Sequence, residues 1–175
     1  MTLKPKLKIM GAVIPAVFLI DQAVKRLVVS FMALGDFIPV VPGLFDIVHV
    51  RNRGAAFGFL AGLPDEMRVP FFLTVSLASL GLITLYFFRM NDDRKSVFVC
   101  LSLILGGACG NIWDRIFLGE VVDFLSFHWY DRSVTWRVMG HQIRMRLEWP
   151  AFNVADAAIT VAVVSLLFLF MAPKK

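Results

Sequence analysis

Asn111, Asp114 and Arg115 stand at i, i+3 and i+4, and Asn153 and Asp156 at i, i+3. In a helix each set shares one face. Asp123 lies between them, in "GEVVDFL" (Gly119 to Leu125). Asp21 and Lys25 form a third set at i, i+4, the spacing of a favourable ion pair. The groups able to do chemistry are therefore carboxylates, Asp114, Asp123 and Asp156, set among amides and Arg115. Two carboxylates held close cannot easily both ionise, so they share a proton. One can then take a proton from water while the other polarises a scissile carbonyl. That is aspartic-type hydrolysis, and it calls for no cofactor. The residues alone do not choose Asp123 over Asp114 as the partner of Asp156.

Other chemistries lack their parts. No Ser or Cys nucleophile is paired with a His base, and no phosphate-binding loop or dinucleotide fingerprint is present. His49, His128 and His141 are scattered over loops, without metal-ligand spacing. Cys100 and Cys109, nine residues apart, fall on opposite sides of a helix and read as small apolar residues. The net charge of +5 comes without a basic stripe, so no nucleic-acid partner is expected.

These residues are carried by an unusually apolar chain. Of 175 residues, 58% are hydrophobic, and the mean hydropathy is +0.74. Soluble domains are nearer 45–50% apolar, about ten points lower. Four segments reach the ~20 residues that a bilayer requires: about Ile9 to Val29, Val69 to Phe88, Ser96 to Ile112, and Asn153 to Met171. The fold class expected is an α-helical integral membrane protein: four transmembrane helices with a small outward β-rich cradle, in one domain over 1–175. The outward loops then cover 31–68 and 113–152. The first segment follows a basic "MTLKPKLK", but Asp21 and Lys25 stand where a cleavage site would be needed, so it reads as a retained span. Six of seven lysines lie in the N-terminal tail, the "RMNDDRK" loop and the C-terminal tail. That density places both termini in the cytoplasm. In the outward loops, "FDIVHVRN" reads as a strand and "RNRGAAFG" as a turn. "VTWRVM" and "IRMRLEW", with "GHQ" turning between them, read as a hairpin whose Arg144 and Arg146 suit lipid phosphates or plain solvent.

Counted from the cytoplasmic ends at ~1.5 Å per residue, Asp21 lies ~18 Å along its helix, and Asn111 and Asp156 ~22 Å along theirs. Polar groups of three helices thus share one level. Ionisable residues within spans usually face a bundle interior or a wet cavity. A structural role suits Asp21 and Lys25, an ion pair anchoring the first span. Asp156 by itself also suits a helix start, where the dipole favours a carboxylate. Gly106, Gly107 and Gly110 suit close helix packing. Intramembrane carboxylates with a lysine fit a small ion or proton transporter too, although no internal repeat is visible. A non-catalytic assembly factor is a third reading.

Four blocks resemble one known family, the bacterial lipoprotein signal peptidases or signal peptidase II. They are "DQAVK" (Asp21 to Lys25), "RNRGAAFG" (Arg51 to Gly58), "GGACGNIWDRI" with "GEVVDFL" (Gly106 to Leu125), and "FNVADAAI" (Phe152 to Ile159). Each is weak alone; four in order, spread over four spans, are specific. The resemblance implies an aspartic endopeptidase of the bacterial inner membrane. It would remove the signal peptide from diacylglyceryl-modified prolipoproteins, cutting before the lipidated cysteine. By motif, Asp123 and Asp156 are its catalytic pair. Asn52, Gly54, Asn111, Asp114, Arg115 and Asn153 match positions that hold substrate or support the site; the helix face shared by Arg115 and Asn111 further suggests that Arg115 pairs with Asp114 and stiffens the loop carrying Asp123. Asp21 and Lys25 match structural positions. No metal is implied, the partners are diacylated prolipoproteins and membrane lipids, and the expected state is a monomer. The interval between Asp123 and Asp156 is longer than the resemblance leads one to expect, and the extra length includes the hairpin.

Overall fold

Each of the four apolar runs forms one long helix, because lipid leaves the backbone no hydrogen-bond partner but itself. The computed structural model describes residues 1–54, 64–138 and 141–171. In chain order the elements are α1 (Leu3–Phe31), β1 (Phe37–Val41), β2 (Phe45–Asn52), α2 (Asp65–Arg89), α3 (Lys95–Leu118), β3 (Val121–Val138), β4 (His141–Glu148) and α4 (Val154–Met171). All four helices are long and apolar enough to cross a membrane. Large side chains such as Leu19, Leu82 and Phe168 stand exposed on the bundle exterior, the surface that lipid covers.

α3 is the central helix, packed against α1, α2 and α4. Its small residues set the spacing. A Cβ on Gly106 would meet the Val17 side chain of α1 at 2.9 Å, and one on Gly107 the Ala155 carbonyl of α4 at 2.6 Å. Phe87, Val97, Phe98, Leu101 and Leu105 form an apolar core toward the opposite end. There Lys6 donates to the Met90 carbonyl at 2.7 Å, fastening α1 to the α2–α3 loop.

Both β regions leave and re-enter the bundle at the other end, so they gather into one antiparallel sheet of order β1-β2-β3-β4. β2 is the expected "FDIVHVRN" strand to the residue. β1 was not expected: its five residues are all exposed, include Pro39, and show no alternation. The expected hairpin forms, with Thr135 opposite Arg144 and Val138 opposite His141. His141 and Gln142, assigned to the turn from sequence, already belong to β4. The side chains of Arg144 and Arg146, and residues 55–58 of the "RNRGAAFG" block, lie outside the described residues.

One boundary differs in a way that matters. The third span was expected to end at Ile112, with a loop from 113; α3 instead runs to Leu118. Polar Asn111 and Asp114 do not break it, because neighbouring helices supply their partners. It ends at Gly119, whose φ of 74° is the left-handed cap that turns the chain into β3.

Candidate active site

Asp123 is the third residue of β3, opposite Val50 of β2. Farther along β3, Leu125 pairs with Phe152: Phe152 N donates to the Leu125 carbonyl at 3.0 Å, and Leu125 N to the Phe152 carbonyl at 2.8 Å. This bridge delivers Asn153, the next residue, to Asp123, and its Nδ2 donates to Asp123 Oδ1 at 2.8 Å.

Asn153 also caps α4. Its Oδ1 accepts the Asp156 backbone N–H at 3.0 Å, and Asp156 Oδ2 accepts the Asn153 backbone N–H at 3.4 Å. That reciprocal pattern is a capping box built from Asn and Asp. It holds Asp156 in the first turn of α4, where the helix dipole favours a carboxylate. The helix-start account of Asp156 and its membership of an acidic pair are thus the same geometry.

Asn111 of α3 completes the join. Its Nδ2 donates to Asp156 Oδ1 at 2.8 Å, while its Oδ1 accepts from Asn153 Nδ2 at 3.1 Å and from Lys25 Nζ at 3.0 Å. A lysine ammonium only donates, so Lys25 fixes which way the Asn111 amide faces. Asn52, at the end of β2, donates to Asp123 Oδ2 at 3.0 Å. Its own Oδ1 accepts the Gly54 N–H at 2.8 Å. Gly54 has φ of 95°, and a Cβ there would strike the Phe72 ring of α2. Only glycine suits both demands.

Behind the pair lies a buried ionic layer. Lys25 Nζ bridges Asp21 and Asp114, at 2.8 Å to each. Asp21 Oδ1 also accepts the Ala155 N–H at 2.9 Å, joining α1 to the start of α4. Its carboxylate nests against Gly110, where a Cβ would lie 2.6 Å from Oδ2. Asp114 accepts from Gln22 at 2.8 Å and from the Val122 N–H at 3.2 Å, so it braces the start of β3. The shared polar level is therefore one contiguous network.

Two points differ from expectation. Arg115 does not pair with Asp114; adjacent helix residues diverge by ~100°, and Asp114 already has Lys25 and Gln22. Arg115 instead donates to the Asn111 carbonyl at 3.3 Å and lies over the Phe72 ring at 5.9 Å. Gln22 was passed over, although an amide beside Asp21 in an apolar span was a visible signal.

Asp123 is 1% exposed. Burial pushes its carboxyl up to about 7; the charge of Asp156 adds to this, and hydrogen bonds from Asn52 and Asn153 and the charge of Lys25 oppose it. On the other side of Asp156 a cavity of about 520 Å³ opens, lined by Phe127, Trp149, Phe152, Thr160 and Val161.

A bundle of membrane-crossing helices capped by a sheet, with an acidic pair at the junction, defines a multi-pass membrane protein suited to acid–base hydrolysis. The chain belongs to the signal peptidase (SPase) II family, whose profile it matches over residues 13–172. It is 43% identical over 164 residues to the lipoprotein signal peptidase of Geobacter sulfurreducens, covering 94% of this chain and 92% of that one. It is 37% identical over 163 residues to the lipoprotein signal peptidase of Geobacillus kaustophilus, covering 91% and 93%. A solved bacterial membrane enzyme, determined in meso at 1.9 Å resolution, is similar with a TM-score of 0.72 and 27% identity over 98% of this chain and 96% of that one.

Proposed function

We propose that Asp123 and Asp156 are the catalytic pair of an aspartic endopeptidase that removes signal peptides from prolipoproteins. The observation that carries the assignment is Asn153, which joins the two carboxylates through one side chain and one capping box. Membership of the signal peptidase II family supports the reaction. The relatives named above are peptidases, and the transporter reading finds no support among them.

The pair shares one proton. The ionised aspartate takes a proton from water as the water oxygen attacks the scissile carbonyl carbon. The protonated one gives its proton to the carbonyl oxygen, and collapse of the tetrahedral intermediate passes a proton to the departing amide nitrogen. Amide donors from Asn52, Asn111 and Asn153 hold the carboxyl planes throughout. The diacylglyceryl-modified cysteine of the substrate keeps its acyl chains in lipid, and the apolar cavity beside Asp156 suits the flanking apolar residues. Both termini lie in the cytoplasm, the sheet faces the periplasm, and the enzyme acts as a monomer in the inner membrane; the lysine distribution supports this orientation.

The test is cleavage of a diacylated prolipoprotein by purified wild type, Asp123→Asn and Asp156→Asn. Each variant should remain folded, with a cooperative melt, and lose cleavage by at least ~10³-fold. Undiminished cleavage by either folded variant sinks the assignment.

A further inference from the structure

A second cavity, of about 430 Å³, lies between α1, α3 and β2, and neither carboxylate of the pair lines it. Its rim carries Arg26 and Arg51, and its walls include Val29, Trp113 and Phe117. Among the described residues neither guanidinium has a carboxylate partner, whereas Lys25, on the same cavity, is outnumbered by two carboxylates, Asp21 and Asp114. The two guanidiniums outweigh the one surplus negative charge of that cluster, so the rim of the cavity is positive.

The other end is aromatic. Trp113 and Phe117, one turn apart on α3, have ring centroids 4.3 Å apart. Phe18 of α1 meets Trp113 edge-on at 5.6 Å. The three rings form a ladder down the α1–α3 crevice on the lipid-facing side, where Phe117 is 63% exposed. Arg26 is five residues short of the end of α1, hence ~7.5 Å below it. That is the depth of headgroups rather than of open water.

We propose that this crevice binds an anionic membrane phospholipid, its phosphodiester held by Arg26 and Arg51 and one acyl chain laid along Phe18, Trp113 and Phe117. Guanidinium groups suit phosphate because their forked donors match its oxygens. The apolar ladder selects a lipid over a soluble anion. Arg51 pairs with Val122 in the β2–β3 register, one residue from both Asn52 and Asp123. A bound headgroup thus braces the ladder that positions the carboxylate pair. The site stands whether or not that pair is catalytic.

Native mass spectrometry of the delipidated protein, titrated with phosphatidylglycerol, tests this. Wild type should retain one lipid molecule, and Arg26→Gln/Arg51→Gln should bind it at least ~10-fold more weakly. Arg26→Lys should recover part of the binding. Phosphatidylglycerol should also raise the melting temperature of wild type more than phosphatidylcholine or inorganic phosphate does. A second readout needs no arginine variant: brominated phosphatidylglycerol should quench wild-type fluorescence more than that of Trp113→Phe. Equal protection by phosphatidylcholine or inorganic phosphate, unchanged binding by the double variant, or quenching indifferent to Trp113 overturns the proposal.

Discussion

Asn153 donates to Asp123 Oδ1 at 2.8 Å while its own Oδ1 accepts the backbone N–H of Asp156 at 3.0 Å, so one amide spans the strand and the helix. Replacing it with Ala removes the link and the helix cap together. The cap alone is worth about 1 kcal/mol. Losing the alignment of two reacting groups costs about 10²-fold in rate. Asn153→Ala is expected to lower the melting temperature modestly and kcat by about that factor. Asn153→Asp should keep the cap but set a third carboxylate against Asp123, so kcat should fall at least as far. Wild-type kcat in Asn153→Ala would show that the link does not position the pair.

Asp123, with its carboxyl pushed up to about 7 against an ordinary 3.8, makes both stability and turnover depend on pH. Between those values the folded protein holds a proton that the unfolded chain has released. Stability is therefore greatest below about 4 and is lost as pH rises through about 7. Asp123→Asn has no such proton to lose. Relative to wild type, the variant should gain at least about 1 kcal/mol between pH 5 and pH 8, each pK unit being worth up to about 1.4 kcal/mol. In wild type, kcat/KM should decline above roughly pH 7, as the shared proton leaves. Melts and rates across that range check both; a flat profile to pH 9 contradicts the shared-proton mechanism.

The helices were legible because an apolar run of membrane length has few other fates. β2 was legible from its β-branched residues; β1, exposed throughout with Pro39 at its centre, was not. The end of α3 was misplaced because hydropathy stops a span at its first cluster of polar residues. Asn111 and Asp114 stay helical since Lys25 and Gln22 answer them from α1. Spacing revealed the Asp21–Lys25 pair, which is local, but not the Lys25–Asp114 pair, whose members are distant in the chain. Nor could it separate Asp114 from Asp123. The structure gives them different surroundings: Asp114 is tied to a lysine and a glutamine, whereas Asp123 accepts from the amides of Asn52 and Asn153 and feels the charge of Asp156.

Gly107 has no room for a methyl group, since a Cβ would lie 2.6 Å from the Ala155 carbonyl oxygen and 2.9 Å from Ile159. The obstructing oxygen is backbone, so α3 and α4 would have to separate. Overpacking of this kind costs about 1–3 kcal/mol. Because α4 carries Asp156, the shift would reach the pair as well. Gly107→Ala should lower both the melting temperature and kcat, whereas Gly81→Ala, with open space around its Cβ position, should change neither. Equal behaviour of the two variants would show that the α3–α4 approach is not constrained at Gly107.

Lys25 holds two buried carboxylates, Asp21 and Asp114, at 2.8 Å each. Lys25→Met would leave both without their cation, and stranding a buried charge costs about 3–5 kcal/mol. It would also loosen the Asn111 amide, whose oxygen would keep only the Asn153 Nδ2 donor of the two that turn it away from Asp156 among the described residues. Removing one charge should offset part of the loss: Lys25→Met/Asp114→Asn is expected to be more stable than Lys25→Met alone. A double-mutant cycle over these variants, followed by thermal denaturation in detergent, isolates the coupling between the two residues. Additive effects would mean that the ion pair contributes nothing beyond its two members. The activity of the double variant is diagnostic in its own right. If Lys25 acts on the pair only through stability, the more stable double variant should regain turnover; if it acts by orienting Asn111, turnover should stay low while the melting temperature recovers.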